Sequence, residues 1–166
     1  MIAMLYGLEN NLISELTSKL ILDKGFSKLV FYKDSKGDIL NLPDLDEPFT
    51  QLKDQIFKNR RPPKILKEQD ICVFIYLDDS RNFSVRSNKI KTVWIKVGFL
   101  VHQNCSVTDN GVRESAIISR IQYIAERTEF KNAIGRCKCE KPIKLTGLPI
   151  QWNGYEIPIK IDGWFI

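Results

Sequence analysis

The stretch T-V-W-I-K-V-G-F-L-V-H-Q at 92–103 decides the fold class of this 166-residue chain. Branched and aromatic residues occupy every second position. Because successive side chains of a strand point to opposite faces, this alternation predicts a long β-strand with one buried face, typical of an antiparallel sheet. The predicted buried face holds Val93, Ile95, Val97, Phe99 and Val101. The predicted exposed face holds Trp94, Lys96, Gly98, Leu100 and His102.

The residues before this strand predict its hairpin partner. I-C-V-F-I-Y-L at 71–77 is a continuous apolar run that predicts a second strand. The polar connection at 78–89 is long for a hairpin, and long loops on a rigid scaffold often carry function. We therefore expect this loop to contact other subunits during assembly. The predicted contacts are Asp78, Asp79, Arg81, Asn82, Phe83, Arg86 and Lys89.

The residues after the long strand predict an amphipathic helix. Asn110 is the predicted N-cap, and Glu114 in the first turn complements the helix dipole. The apolar face repeats at helical spacing. It comprises Ile117, Ile118, Ile121, Ile124 and Ala125. Three arginines seven residues apart are predicted to form a row on another side, solvated or facing a neighbouring subunit. They are Arg113, Arg120 and Arg127.

The N-terminal third predicts a helix followed by a strand. Leucines recur every three or four residues over 4–23, which marks one stripe of a helix. Gly25 is expected to end that helix in a left-handed conformation. F-S-K-L-V-F-Y-K at 26–33 is rich in aromatic and branched residues and therefore predicts a strand.

Residues 39–68 are irregular and have the character of an insertion into a single domain that spans 1–166. Pro48 suits the first turn of a predicted short helix, F-T-Q-L-K-D-Q-I-F at 49–57. Its apolar side would comprise Phe49, Leu52 and Ile56. The following R-R-P-P ends the helix, because proline lacks the backbone donor and pushes its neighbour into an extended conformation.

The C-terminal segments 143–150 and 155–161 predict a second hairpin, joined through Q-W-N-G. Tyr155, Ile157, Ile159 and Ile161 share one face of its second strand. Pro158 lies within that strand and predicts that the strand is at a sheet edge. The elements together predict an α+β fold: a mostly antiparallel sheet with two main helices packed against it and a long-looped central hairpin.

A cysteine–histidine site is the first chemistry that the sequence raises, because the only histidine, His102, is followed by Cys105 and Asp109. Nucleophilic catalysis requires a thiolate, an imidazole, an orienting group and an oxyanion hole in one place. His102 ends a predicted strand, Cys105 lies in the connection, and Asp109 is beside the helix N-terminus. Each residue thus has a structural role, so we predict no catalytic residue and no enzyme. The sequence also lacks the Walker, Rossmann and H-E-x-x-H motifs.

Metal binding is the second chemistry to consider. The remaining cysteines are Cys72, Cys137 and Cys139, and without a recognisable secretory signal the expected state is a free thiol. The C-x-C spacing at 137–139 is unlike the C-x2-C of common structural zinc sites. We therefore predict neither a metal nor a cofactor. Cys72 lies within an apolar strand and is expected to pack as a small hydrophobe.

Composition and charge favour a globular protein. Hydrophobic residues make up 43% and charged residues 27% of the chain, with a formal net charge of +5. No apolar run approaches the roughly 20 residues needed to span a bilayer, so we expect no membrane partner and a cytoplasmic place of assembly. Positive charge is concentrated in K-N-R-R-P-P-K-I-L-K at 58–67, which is either a solvated loop or a nucleic-acid contact.

Four segments, taken in order, carry a family resemblance: an N-terminal L-x-x-L-x-x-x-L helix, T-V-W-I-K-V-G-F-L-V, N-G-V-R-E-S-A-I-I-S-R-I-Q-Y-I and the closing G-Y-E-I-P-I-K-I-D. Their order resembles that of the tail terminator, or tail-completion, proteins of long-tailed bacteriophages. In that family a strand of this alternating kind leads through a polar loop, often with Gly-x-Arg, into a helix with repeated isoleucines. The resemblance implies a virion protein in the tail and neck, typically a hexameric ring, that stops tail-tube polymerisation.

The resemblance also implies the partners: copies of the same chain, the tail tube protein and a neck or connector protein, with DNA only as passing cargo and no cofactor. Another head–tail connector or head-completion protein is an alternative of the same kind. A nucleic-acid-binding module using 58–67 and Phe57 is a second alternative. A small hydrolase or metal enzyme using His102, Cys105 and the Cys137/Cys139 pair is a third.

Overall fold

The core lies between one β-sheet and the helices that cover one of its faces. The computed structural model describes residues 2–34, 37–58, 70–78, 90–109, 111–131, 133 and 137–165. The helices are α1 (Ile2–Leu22), α2 (Lys24–Phe31), α3 (Pro48–Gln51), α4 (Gln103–Ser106) and α5 (Arg113–Arg127), with a 3₁₀ turn at Ile39–Asn41. The strands are β1 (Ile56–Phe57), β2 (Ile71–Leu77), β3 (Ile90–His102), β4 (Val107–Thr108), β5 (Gly111–Val112), β6 (Cys137–Cys139), β7 (Ile143–Lys144) and β8 (Trp152–Phe165).

The main sheet has the strand order β1-β2-β3-β8-β6, and β7 also pairs with β8. β1 is parallel to β2, whereas the other pairs are antiparallel. β4 and β5 form a separate two-stranded sheet. The predicted α+β class with a mostly antiparallel sheet is therefore confirmed, and so is the central β2–β3 hairpin, in which Leu77 pairs with Ile95.

The long strand β3 buries the face that its alternation predicted. Its five alternating apolar residues are 0% exposed, and so are Ile157, Ile159 and Ile161 beside them on β8. Two main helices pack on this face, as predicted. α1 contributes Leu12, Leu16 and Leu20, and α5 contributes Ile117, Ile121, Ile124 and Ala125, with Ile118 partly buried.

The predicted strand at 26–33 is wrong, because this segment is helix α2. Oδ1 of Asp23 accepts the backbone N–H of Phe26 at 2.8 Å, so Asp23 caps a new helix immediately after α1. Phe26, Leu29 and Val30 are buried at helical spacing, which satisfies their apolar character without a strand. Gly25 lies inside α2 rather than ending α1.

The predicted helix at 49–57 is wrong in its length. Pro48 does occupy the first turn, but α3 ends at Gln51 and Ile56 belongs to β1. Phe49 is 50% exposed, whereas Leu52 is buried. The described part of the irregular segment therefore contributes to the core, with Ile39 and Leu52 both packed into it.

Pro158 is not at a sheet edge, so that prediction is wrong. It pairs with Lys96 of β3, and its carbonyl accepts the N–H of Glu140 at 2.8 Å on the opposite side. The nitrogen and carbonyl of one strand residue point to the same side, so the proline nitrogen faces the interval between β6 and β7. The missing donor falls where the ladder is already interrupted, which explains how an interior strand accommodates proline.

The outer face of the sheet, opposite the helices, is partly covered. A second cluster there buries Cys72, Phe74, Tyr76 and Leu100 under Leu145, Leu148 and Trp152. A Cβ at Gly98 would lie 2.1 Å from the ring of Phe74, so only glycine fits this position. The predicted exposed face of β3 is therefore only partly exposed, and His102 is buried.

The start of α5 differs from the prediction. The N-cap is Val112, which makes no side-chain cap bond, and Asn110 lies outside the described residues. β4 and β5 precede the helix, and the Thr108 hydroxyl donates to the carbonyl of Gly111 at 3.1 Å. Gly111 has a φ of 104°, a left-handed value that favours glycine. In the ranges described, no helix is long and apolar enough to cross a membrane.

Candidate functional site

Asp78, the first residue of the predicted assembly loop, belongs to a buried ionic cluster on the outer sheet face. Nζ of Lys96 lies 3.6 Å from Oδ2 of Asp78 and 3.5 Å from Oε2 of Glu156. The Tyr76 hydroxyl donates to the Glu156 carboxylate. Asp78 is only 5% exposed, so it is not accessible as the predicted assembly contact requires. The remaining predicted loop contacts lie outside the described residues: Asp79, Arg81, Asn82, Phe83, Arg86 and Lys89.

Arg113 is buried instead of forming an exposed row with the two other arginines of α5, so this part of the prediction is wrong. Its side chain is among the largest that are fully buried, and its Nε donates to the carbonyl of Cys105 at 2.6 Å. Nη1 donates to the carbonyls of Leu29 and Tyr32 at 2.7 and 3.1 Å. Burial lowers the pKa of Arg113 from its ordinary value. The guanidinium caps the C-terminal carbonyls of α2, where a positive charge is favourable.

Arg120 joins α5 to the junction between α1 and α2. Its Nε and Nη2 donate to the two carboxylate oxygens of Asp23, each at 2.6 Å. This bidentate bond raises the pKa of Arg120. A Cβ at Gly25 would be 3.0 Å from Nε of Arg120, so the glycine leaves room for the guanidinium. The side chain of Arg120 remains 37% exposed.

Arg127 and Tyr123 form the exposed end of the arginine series. The guanidinium carbon of Arg127 lies 3.8 Å from the centre of the Tyr123 ring, and that of Arg120 lies 4.9 Å away. Tyr123 is 47% exposed. These contacts are cation–π interactions that hold both arginines against one ring. Two of the three predicted arginines therefore share an accessible face of α5.

His102 and Cys105 lie at the start of α4, the histidine as its N-cap and the cysteine within it. Nδ1 of His102 accepts the backbone N–H of Asn104 at 3.3 Å, which makes the histidine the N-cap of α4. Its ring packs edge-on against Trp152, with ring centres 5.0 Å apart. Cys105 is buried, and burial raises the pKa of its thiol, which disfavours the thiolate needed for attack. Asp109 is exposed.

Burial also disfavours the thiolate form of the other cysteines. Burial raises the pKa of Cys72, Cys137 and Cys139 to about 12 in each case. None of the four cysteines is joined in a disulfide. Where the chain is described, no group of three or more His, Cys, Asp or Glu side chains is placed to hold a metal ion.

An open groove of about 810 Å³ lies at the C-terminal end of α5. Its lining mixes acidic and basic side chains, so its charge selects no single class of ligand. The lining residues are Glu126, Arg127, Thr128, Glu129, Cys137, Lys138 and Asp162.

The sequence of this chain matches one family of known proteins. The sequence model of a family described as YomW matches residues 23–161, which is most of the chain. The chain belongs to the YomW family. The family is phage-related, which agrees with the coarse part of the expected resemblance. The match begins at Asp23, the cap of α2, and ends within β8. Among curated proteins, none matches the chain.

This YomW-family chain exposes apolar residues that were not among the predicted contacts. Val107 and Val112 face each other across β4 and β5 and are 68% and 52% exposed. Ile150 is 96% exposed, and the next residue, Gln151, accepts the N–H of Gln103 at 2.7 Å. Both features therefore lie at the end of the sheet where β3 ends. The sequence signal for this hairpin was T-D-N-G between two valines, because Asp, Asn and Gly are residues that tight turns favour.

The basic cluster at 58–67 lies mostly outside the described residues. Its first residue, Lys58, is exposed and donates to the Ser14 hydroxyl at 3.0 Å. The nucleic-acid interpretation of this cluster therefore stays a prediction.

Proposed function

We propose that the chain is a structural virion protein that forms a ring at the head-proximal end of a phage tail tube. In this role it stops tube polymerisation and joins the tail to the neck, as a tail terminator does. Its partners are further copies of itself, the tail tube protein and a neck protein, and DNA passes through the ring without sequence readout.

The observation that carries the proposal is membership of a phage-related family by a chain with this order of elements. An N-terminal helix, a central antiparallel hairpin, an isoleucine-rich helix and a long closing strand follow one another. That order is the one on which the resemblance to tail terminators rests. The structure also supports the proposal, because short elements project from a sheet whose helix-covered face is buried.

The accessible surface also suits an assembly protein. Exposed valines on β4 and β5, exposed Ile150 and the exposed Tyr123 lie on separate elements around the sheet. Aromatic and aliphatic residues at the surface, held by a rigid scaffold, are typical of protein contacts. A subunit that touches two neighbours, the tube and the neck needs several such surfaces.

The test is a tube-growth assay. Purified tail tube protein is polymerised alone and with substoichiometric amounts of this protein, and tube mass is followed by light scattering. We expect growth to stop early with the protein present, and native mass spectrometry to show a ring of several subunits. Unchanged growth at equimolar protein would contradict the terminator role. A ring that binds neck protein while tubes grow normally would support the connector alternative instead.

A further inference from the structure

The accessible face of α5 carries a positive charge, that of Arg127, which no carboxylate in the described part of the subunit binds. Arg120 is bound to Asp23, whereas Arg127 forms no ion pair with a described carboxylate, and its hydrogen bond and cation–π contact are both with Tyr123. Stacking on the ring fixes the position of the Arg127 guanidinium. A partner carboxylate would therefore meet a preorganised donor, which lowers the entropic cost of binding.

Apolar groups flank this charge. Tyr123 is 47% exposed, and Leu22, the residue before Asp23, is 60% exposed. Arginine and tyrosine are enriched at the centres of protein interfaces, and alanine substitution of such residues often causes the largest losses. We call Leu22, Arg120, Tyr123 and Arg127 the arginine–tyrosine patch.

A segment with the opposite charge lies elsewhere on the subunit. It reads D-L-D-E-P-F at 44–49, and we call it the acidic segment. Asp44 is held by Lys24 and Lys28 at 2.5 and 2.8 Å, which anchors the segment on α2. Asp46 and Glu47 are exposed and form no ion pair with any described residue. Phe49 is 50% exposed.

Both surfaces border the N-terminal end of α2, where Lys24 holds Asp44 and the neighbouring Asp23 binds Arg120. From there the acidic segment and α5 lead to different strands. α3, which contains Phe49, leads into β1 at one end of the strand order, whereas α5 packs on β6 and β8 at the other end. Four inter-strand steps of about 4.8 Å separate the outer strands by roughly 19 Å. Within one copy, Asp46 and Glu47 form no ion pair with Arg127 in the described structure, so these charges are open to a second copy.

We propose that the acidic segment of one copy docks on the arginine–tyrosine patch of the next copy. Asp46 and Glu47 face Arg127 of the neighbour, and Phe49 packs beside its Tyr123. Such a contact joins different surfaces of identical subunits, which generates a closed ring when the rotation closes. This inference rests on the proposed ring and names its subunit contact.

The test uses charge reversal on each side of the contact. Arg127→Glu disables the patch, and Asp46→Lys with Glu47→Lys disables the acidic segment. We expect each variant to need at least about tenfold more protein to assemble, because like charges then meet across the contact. Lys144→Glu is the matched control for Arg127→Glu, since this exposed residue on β7 gives the same charge change away from both surfaces. Circular dichroism confirms that each variant is folded.

An experiment that mixes the two variants tests the pairing of the two surfaces more directly. In an equal mixture, the acidic segment of each Arg127→Glu copy meets an intact Arg127, and the reversed segment of each Asp46→Lys/Glu47→Lys copy meets the reversed charge at 127, so the mixture should form the rings that neither variant forms alone. All three changes in one chain should restore rings. If Arg127→Glu assembles like the parent while the parent forms rings and stops tubes, the contact is elsewhere and the proposed function stands. If the parent itself stays monomeric with and without tubes, the proposed function fails first.

Discussion

At the scale of single residues, the guanidinium of Arg113 contacts both the C-terminal end of α2 and the carbonyl of Cys105 in α4. Arg113→Met keeps much of the apolar stem but removes every donor, which leaves buried carbonyls unsatisfied. We expect a loss of about 2–4 kcal/mol in the free energy of unfolding, measured by urea denaturation. Arg127→Met, at an exposed position of the same helix, should change it by less than about 0.5 kcal/mol. Equal losses in the two variants would contradict the bonding described for Arg113.

The thiols give a prediction about pH. Burial raises the pKa of Cys72, Cys137 and Cys139 from 9.0 to about 12. The folded state therefore keeps protons that the unfolded chain releases above pH 9, so these groups stabilise the fold below that pH and lose this contribution as the pH rises towards 12. A chromogenic thiol reagent at pH 8 should modify all four cysteines in guanidinium chloride and react far more slowly with the native protein. Rapid modification of several cysteines under native conditions would show that they are accessible.

At the scale of elements, Asp23 has two functions at the junction of α1 and α2: it caps α2 and binds Arg120. Asp23→Ala removes the cap and the ion pair and should cost about 2 kcal/mol of stability. Asp23→Asn retains an oxygen for the Phe26 N–H and should cost less than about 1 kcal/mol. Thermal denaturation of both variants measures the difference. If the asparagine variant is as unstable as the alanine variant, the cap contributes little.

The elements that were predicted correctly are those in which the hydrophobic pattern repeats over many residues. β3 shows alternation over its whole length, and α5 repeats isoleucines over several turns, so the buried faces followed directly. α2 has only eight residues, and its aromatic and branched residues fit a strand as well as a helix. The cap at Asp23 was the readable signal that favoured the helix. The prediction that Pro158 lies at a sheet edge was wrong because the gap between β6 and β7, which accommodates the proline, depends on how the sheet is assembled. The sequence of the strand itself does not show that gap.

The positions of the predicted site residues depended on tertiary packing more than the helices and strands did. A spacing of seven correctly aligned the arginines along α5, but only the position of α2 buries Arg113. Because α2 had been interpreted as a strand, no helix C-terminus was available to explain that arginine. Asp78 similarly became buried through Lys96, which the alternation of β3 had placed on an exposed face.

At the scale of the whole molecule, the connection between β2 and β3 provides a test of assembly. Asp78 bonds to Trp94, whereas β3 begins at Ile90, so a shortened connection must still span the four residues 90–93. That distance is about 13 Å in an extended strand. Replacing 83–89 with Asn-Gly leaves 79–82 to cover it. We expect this variant to fold with parental stability and to lose the ability to stop tube growth. Full activity of the variant would remove 83–89 from the mechanism, and unfolding would place them in the core.

A protein that terminates a tail tube must lie at one end of that tube, so its position on the tube tests the proposed function. Tubes polymerised with gold-labelled protein are imaged by electron microscopy, and the labels are counted along each tube. We expect one labelled ring at a single end of each tube and a tube population that no longer lengthens with time. Labels scattered along the tube walls, or tubes that keep growing from a labelled end, would contradict it.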